Sequence, residues 1–388
     1  MTTMFAEPEE RVALRAAVAK LAGKYGREYV ERQAAAGDKM TEMWLEMGRN
    51  GFLGVNLPEQ YGGGGGGMSD LAAVLEECAT AGAPLLMMVV SPAICGSIIV
   101  RCGTEEQKQR WVPGLADGTL LMAFGITEAD AGSNSHQITT TARRDGDEWT
   151  LSGQKTFISG VDEAQSVLIV ARTEDEKTAK LRPALFVVPT DAPGFSCAPI
   201  EMGWAAPEKQ FTLFLDDVRL PHDALIGEQD GDLWQLFAGL NPERIMGAAM
   251  SCGIARYALS RAVEYAKERK VWNGQPIGTH QGIAHPLARI KIELEQARLL
   301  WQKAAALYDA GDDFGAGEYA NMAKYAGGEI ACNATDVAVH THGGNGLTVE
   351  YGLANMLVAA RLGRIAPVSR EMILNFVAMH SLGLPKSY

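Results

Sequence analysis

The run Met122-Ala123-Phe124-Gly125-Ile126-Thr127-Glu128-Ala129-Asp130-Ala131-Gly132-Ser133-Asn134 constrains this chain most, because an apolar strand-like stretch ends in a turn crowded with glycine, hydroxyl and acidic residues. A second segment follows, Leu151-Ser152-Gly153-Gln154-Lys155-Thr156-Phe157-Ile158-Ser159-Gly160, again a short β run broken by turn residues. Either one alone reads as a turn between strands. Two in this order are far more specific than one.

At 388 residues the chain is long enough for two or three domains with sizeable cores. Its balance of 47% hydrophobic and 21% charged residues is that of a soluble globular protein. A net charge of −12 excludes nucleic acid as the main partner, since phosphate binding needs concentrated Lys and Arg. Cys78, Cys95, Cys102, Cys197, Cys252 and Cys332 form no C-x-x-C pair, so neither a zinc site nor a disulfide framework is predicted, and a reducing cytoplasm is the natural compartment. The first ten residues are acidic and have no apolar core of a targeting signal. The apolar stretch 83–100 is broken by Ser91-Pro92 and Ser97, which predicts a buried helix pair and no membrane span.

Upstream of the two segments the chain reads as helix. Residues 7–36 place Val12, Leu14, Val18, Leu21, Tyr25 and Val30 at helical spacing behind Pro8, and 41–50 continues in kind. Leu57-Pro58-Glu59-Gln60-Tyr61 then runs into six glycines, 62–67, which hold regular structure only at an entropic cost. Lacking the Gly-Lys-Ser/Thr ending of a phosphate loop, this run predicts a flexible connector. Helical character resumes over 69–81 and after Pro84, and Thr104 is placed to cap a short helix through Val112. Short β-rich runs occupy 120–126, 138–143, 148–151, 166–172, 184–189 and 211–215, separated by Gly, Pro and Asp turns. Long helical patterns return at 241–270, 282–309 and 319–340. The prediction is an α+β chain with an N-terminal helical domain over 1–118, a central β domain over 119–232 and a C-terminal four-helix-type domain over 233–388.

Helix, then sheet, then helix, with these two segments in the middle, resembles the acyl-CoA dehydrogenase family over essentially the whole chain. The resemblance implies FAD. An isoalloxazine ring is flat and mostly apolar with a polar rim, and needs apolar walls with a few placed N–H and hydroxyl donors. It places Phe124, Ile126, Thr127, Phe157, Ile158 and Ser159 beside the flavin, with Phe157 where many relatives have tryptophan. Lys267-Glu268-Arg269-Lys270-Val271-Trp272 and His280-Gln281 resemble the segment whose arginine reaches the flavin pyrophosphate across a subunit boundary. Arg269 suits that task through its planar fork, with Trp272 and Gln281 flanking it. The alternative is a solvated charge cluster at a helix end. His340-Thr341-His342-Gly343-Gly344-Asn345-Gly346 resembles the adenine-side loop, which implies contacts from His340, Gly343 and Gly344, although the family usually has glutamine at His340. Ser369 and Glu371 of the closing segment join the cofactor group. The paired histidines lack acidic or cysteine companions, so no metal is predicted.

Ser133, Asn241 and Arg244 match positions that meet the pantetheine arm of an acyl-CoA, and a local basic spot can receive that anion despite the net charge. The closing segment Arg364-Ile365-Ala366-Pro367-Val368-Ser369 departs from the family pattern, because Pro367 stands where most members carry the glutamate that removes the α-proton. A minority, such as isovaleryl-CoA dehydrogenase, carries that glutamate on the other helix, at the position of Glu243. Glu243 also has a bland reading: Asn241-Pro242-Glu243-Arg244 looks like a helix start, where proline and an acidic first turn are favourable. Glu350 and Glu371 rank below it as bases. Ala366 replaces a bulky tyrosine, which favours a wider or branched acyl group. The implied activity is oxidation of an acyl-CoA to its 2,3-enoyl-CoA by a homotetramer that passes electrons to electron-transferring flavoprotein. Two rivals stand beside it: a catalytically weakened flavin- and acyl-CoA-binding paralogue, and a flavin oxidase or monooxygenase on the same scaffold.

Overall fold

The apolar stripe of residues 7–36 folds as α1 (Glu9–Ala36), and the short α2 (Thr41–Arg49) follows it. The computed structural model describes residues 6–174, 181–227, 234–272 and 274–386. Residues 1–5, part of the stretch read for a targeting signal, and the expected domain boundary at 232/233 lie outside the described residues. The glycine run is not a loose connector. All six amides of 62–67 donate hydrogen bonds, including Gly64 to the Gly54 carbonyl at 2.9 Å and Gly66 to that of Val55 at 2.8 Å. A Cβ on Gly63 would stand 2.1 Å from the Leu57 carbonyl oxygen, so the glycines are there for close approach. Composition alone could not show this, because those acceptors lie earlier in a folded loop.

Directly after the run comes α3 (Met68–Thr80), whose first amides at Met68 and Ser69 are capped by Asp309 at 2.6 and 3.0 Å. The apolar stretch becomes a buried helical rod of α4 (Leu86–Met88), a π-helical stretch Val89–Gly96 containing Pro92, and α5 (Ser97–Cys102). No helix among the described residues is long and apolar enough to cross a membrane. Thr104 caps α6 (Glu105–Asp117) in a reciprocal box with Gln107, as its sequence position predicts.

An eight-stranded sheet follows. Its strands are β1 (Met122–Gly125), β2 (Thr141–Asp145), β3 (Glu148–Ser159), β4 (Ser166–Glu174), β5 (Leu181–Pro189), β6 (Phe195–Ile200), β7 (Gln210–Pro221) and β8 (Leu225–Ile226). The order is β6-β7-β3-β2-β4-β5-β8, with β1 pairing parallel to β4. The segment 151–160 is no broken run but most of one strand, β3, whose register against β7 slips between Leu151 and Gly153 and again between Lys155 and Ile158. The second slip holds Phe157 at φ 56, so a bulge turns that aromatic outward. β6 escapes the sequence reading because its residues are exposed or half-buried and lack an apolar alternation.

The ends of β1 and β3 are clamped together. Lys155 is fully buried, and its Nζ donates to Glu128 Oε1 at 2.8 Å and to the Ile126 carbonyl at 3.0 Å. Glu128 also accepts from the amides of Thr139 and Thr140 at 2.6 and 2.9 Å and from their hydroxyls at 2.7 and 2.6 Å. Burial pushes this carboxyl up, but the lysine and the threonine donors outweigh it and hold Glu128 down to about 2.

The C-terminal region contains α7 (Trp234–Glu268), a small hairpin of β9 (Lys270–Val271) and β10 (Gln275–Pro276), α8 (Gln281–Asp309) and α9 (Asp313–His342). The short helices α10 (Leu353–Ala359), α11 (Leu362–Ile365) and α12 (Arg370–Phe376) follow. Asn241-Pro242 is not the helix start. α7 is already formed at Trp234, and Pro242 is buried inside it. A proline there removes the donor to the carbonyl four residues back. That carbonyl, Ala238, instead accepts from the Tyr308 hydroxyl at 3.0 Å, a partner from α8 that local sequence does not reveal.

Replacing Lys155 by Met strands a buried carboxylate, and the expected loss is about 3–5 kcal/mol of folding stability by chemical denaturation. Adding Glu128→Gln should restore part of it; an unchanged midpoint in the single variant would show that the clamp carries no stability. The folded pKa of Glu128 lies below its unfolded value of about 4.3. Its contribution is therefore complete above that value and is lost as the pH falls towards about 2.

Candidate active site

The clamp brings the two sheet segments into one surface. Besides Lys155, the Thr156 amide donates to the Thr127 carbonyl at 2.9 Å, so the turn after β1 lies against the bulge of β3. Phe124 and Ile158 are buried in the wall, Ile126 and Thr127 are half-buried, and Phe157 is 59% exposed. The Ser159 hydroxyl pairs with the Gln210 side chain at about 3 Å. Ser133 is exposed in the turn beyond Glu128.

Glu243 is half-buried on α7. The neighbouring Cys95, on the π-helical stretch, points its thiol at the Ala123 carbonyl of β1, 3.5 Å away. Burial, and then the Glu243 charge, push that thiol well up. A Cβ built on Gly247, one turn beyond Glu243, would lie 3.9 Å from Pro367 Cδ and meet nothing nearer. Pro367 therefore packs against the face of α7 that also carries Glu243. Burial pushes Glu243 up to about 7, against the pull of Arg244 and Lys324. Arg244 is buried, with Nη1 on the Leu240 carbonyl at 2.9 Å and Nε without a partner. The Asn241 amide is engaged by the Asp313 carbonyl at 3.2 Å.

Lys324 is the residue that sequence reading missed. It is buried, and its Nζ donates to the Val368 carbonyl. The signal was present: Lys324 is the charge on a face of Ala320, Ala323, Gly327, Gly328 and Ala331, all buried. Ser369 caps α12 by accepting from the Met372 amide at 3.3 Å. Glu371 is exposed and paired with Arg370 at 3.3 Å.

The remaining predicted residues gather at the other end of α7. Arg269 and Gln281 are exposed, and Trp272 is 80% exposed with its ring edge-on to His280 at 6.3 Å. Tyr265 stacks on His342 at 4.2 Å and receives the Asn345 amide at 3.1 Å, which ties this end of α7 to the 340–346 loop. His340 is exposed, and a Cβ on Gly343 or Gly344 would meet nothing within 4 Å. Glu350 belongs here too, beside Tyr351, whose ring meets His342 at 5.3 Å. From Glu243 to Glu268 the helix spans about 38 Å at ~1.5 Å per residue.

Family models for the N-terminal, middle and C-terminal domains of acyl-CoA dehydrogenases match residues 8–119, 123–218 and 235–382. The chain belongs to the acyl-CoA dehydrogenase family. It is 65% identical over 386 residues to the acyl-CoA dehydrogenase FadE12 of Mycobacterium tuberculosis, covering all of this chain and 99% of that one. Among solved structures, a Mycobacterium smegmatis glutaryl-CoA dehydrogenase in complex with FADH2 superposes with a TM-score of 0.90 at 27% identity, over 100% and 98% of the two chains. A chain from a study of the electron transferring flavoprotein of Acidaminococcus fermentans superposes with a TM-score of 0.91 at 29% identity, over 97% and 99%.

The dehydrogenase is thus an FAD-dependent oxidoreductase acting on CH–CH bonds. Its own residues fit the cofactor. The outward Phe157 and the half-buried Ile126, Thr127 and Ser159 make a wall with polar edges, and the open Gly343-Gly344 face leaves backbone accessible. With Arg269 as a phosphate partner, Arg269→Ala should release FAD more readily, the lost charge-assisted bond being worth roughly 1.5–3 kcal/mol. Equal flavin retention after gel filtration would remove that role. With Phe157 as a shield, Phe157→Ala should speed reoxidation of reduced flavin by O₂, and an unchanged rate would count against it.

Proposed function

We propose that this dehydrogenase oxidises an acyl-CoA to the 2,3-enoyl-CoA with Glu243 as the base that takes the α-proton. The observation that carries the reading is the place of Glu243. It is half-buried close to Cys95, whose thiol meets the Ala123 carbonyl of β1, on the α7 face that meets Pro367, with burial bringing it to about 7. A general base works best when its pKa is near the working pH. When bound, the flavin accepts the hydride leaving the β-carbon. Everything else falls to the chain: Arg244 has a buried Nε free for a polar atom of the substrate arm, Phe157 shields the ring, and the apolar wall excludes water. Glu371 is exposed and ion-paired, and Glu350 lies with the distant 340–346 loop, so neither competes with Glu243.

Ala366 is exposed and small where the family commonly has a bulky tyrosine, which supports a wider or branched acyl group. Arg269 follows the C-terminal end of α7 and is exposed. Its segment resembles the one that reaches the flavin pyrophosphate across a subunit boundary, and this supports the homotetramer. Electron-transferring flavoprotein is the proposed acceptor, supported by the Acidaminococcus likeness. The cytoplasm is the proposed compartment, in keeping with six free cysteines.

A panel of straight and branched acyl-CoAs, mixed anaerobically with the FAD enzyme, tests the reading by flavin bleaching. Glu243→Gln should keep FAD and acyl-CoA but slow bleaching by roughly 10²–10⁴-fold. The wild-type rate should rise with pH through about 7, because only the carboxylate takes a proton. Pro367→Gly, which restores a backbone N–H for the thioester oxygen, should leave activity intact or raise it. Robust bleaching by Glu243→Gln would remove Glu243 as the base. A wild type that binds every acyl-CoA and never bleaches would favour the weakened paralogue.

A further inference from the structure

Lys324 lies on a closely packed, buried face of α9. Next to it, a Cβ on Gly327 would lie 3.0 Å from the Ala248 Cα of α7, and one on Gly328 would lie 2.1 Å from the Gly363 carbonyl oxygen. A lysine held in such a seam has lost nearly all its water, and its ammonium must be satisfied by the protein. It has three donors, and the Val368 carbonyl takes one. Val368 directly follows Pro367, which in turn faces Gly247, one turn from Glu243.

We propose that Lys324 is a positioning residue of this site: it ties the Ala366-Pro367-Val368 turn to α9 across the face of α7 that carries Glu243, and presents its ammonium to that carboxyl group. This rests on Glu243 being the base. The charged groups around Glu243 are few. Arg244 comes from its own helix, Lys324 from α9 and the Cys95 thiol from the π-helical stretch, while Glu371 of α12 acts on Lys324. Burial opposes the carboxylate, and two cations oppose burial. Burial also pulls Lys324 down to about 8, against the attraction of Glu243, so the lysine is still charged at neutral pH. Without that cation Arg244 acts alone, and Glu243 should hold its proton to higher pH.

The test reads Glu243 directly. In the FAD-loaded enzyme, the infrared band of the protonated carboxyl that disappears in Glu243→Gln is titrated against pH, with no substrate needed. Lys324→Met and Lys324→Gln should move its midpoint up by about one unit or more, as loss of a close opposite charge does. Lys324→Arg should leave it close to wild type. Gln keeps a donor for the Val368 carbonyl, so it gives the same reading if Met does not fold. The rise of the bleaching rate with pH should move with the infrared midpoint. An unmoved midpoint in a folded, FAD-bound neutral variant would overturn the inference while leaving Glu243 as the base. Bleaching by Glu243→Gln would instead overturn the base, and the infrared titration would still decide what Lys324 does.

Discussion

The pairing of Lys155 with Glu128 is the interaction on which the rest of the site depends. A lysine and a carboxylate removed from water cost several kcal/mol each unless hydrogen bonds fill their remaining positions. Here Glu128 accepts five, and Lys155 also donates to Ile126. The geometry repays the burial by fixing three chain segments at once: the turn after β1, the start of β2 and the bulged β3. Breaking register at that bulge is what lets Phe157 face outward while Ile158 stays in the core. The pair is thus an anchor for the apolar wall.

A second buried ionic cluster sets the helices. Glu76 and Glu77 on α3 receive Arg15 from α1 at 2.7 Å each, Glu77 receives Arg256 from α7 at 2.8 Å, and Glu76 receives Arg298 from α8 at 2.7 Å. The helices also approach closely here, since a Cβ on Gly253 would fall 2.5 Å from the Glu76 carbonyl oxygen. Small residues draw α7 against α3, and the charges fix their rotation. With that rotation fixed, Glu243, further up α7, is held towards the π-helical stretch and β1.

What the sequence made legible followed from local physics. The caps, the strand runs and the long amphipathic patterns depend on neighbours in the chain, and the Thr104 capping box and the two sheet segments were visible for that reason. What stayed hidden depended on partners far away. The ordering of the glycine run needs the carbonyls of Gly54, Val55 and Leu57; the continuation of α7 through Pro242 needs Tyr308; the meaning of Lys324 needs Val368. Resemblance supplied the residues expected to meet a cofactor, which no periodicity carries.

The place of Glu243 well inside α7 changes its chemistry. In a first helical turn, the unsatisfied amides would favour the carboxylate and keep its pKa low. Because α7 is already formed at Trp234, Glu243 sits beyond the reach of that field, which fades within the first turn. Burial is then opposed only by nearby cations, and the group settles at about 7. A glutamate in a rigid helix interior is therefore raised without help from the helix end. The turn that holds Pro367 is tied in its place by a lysine from the neighbouring helix.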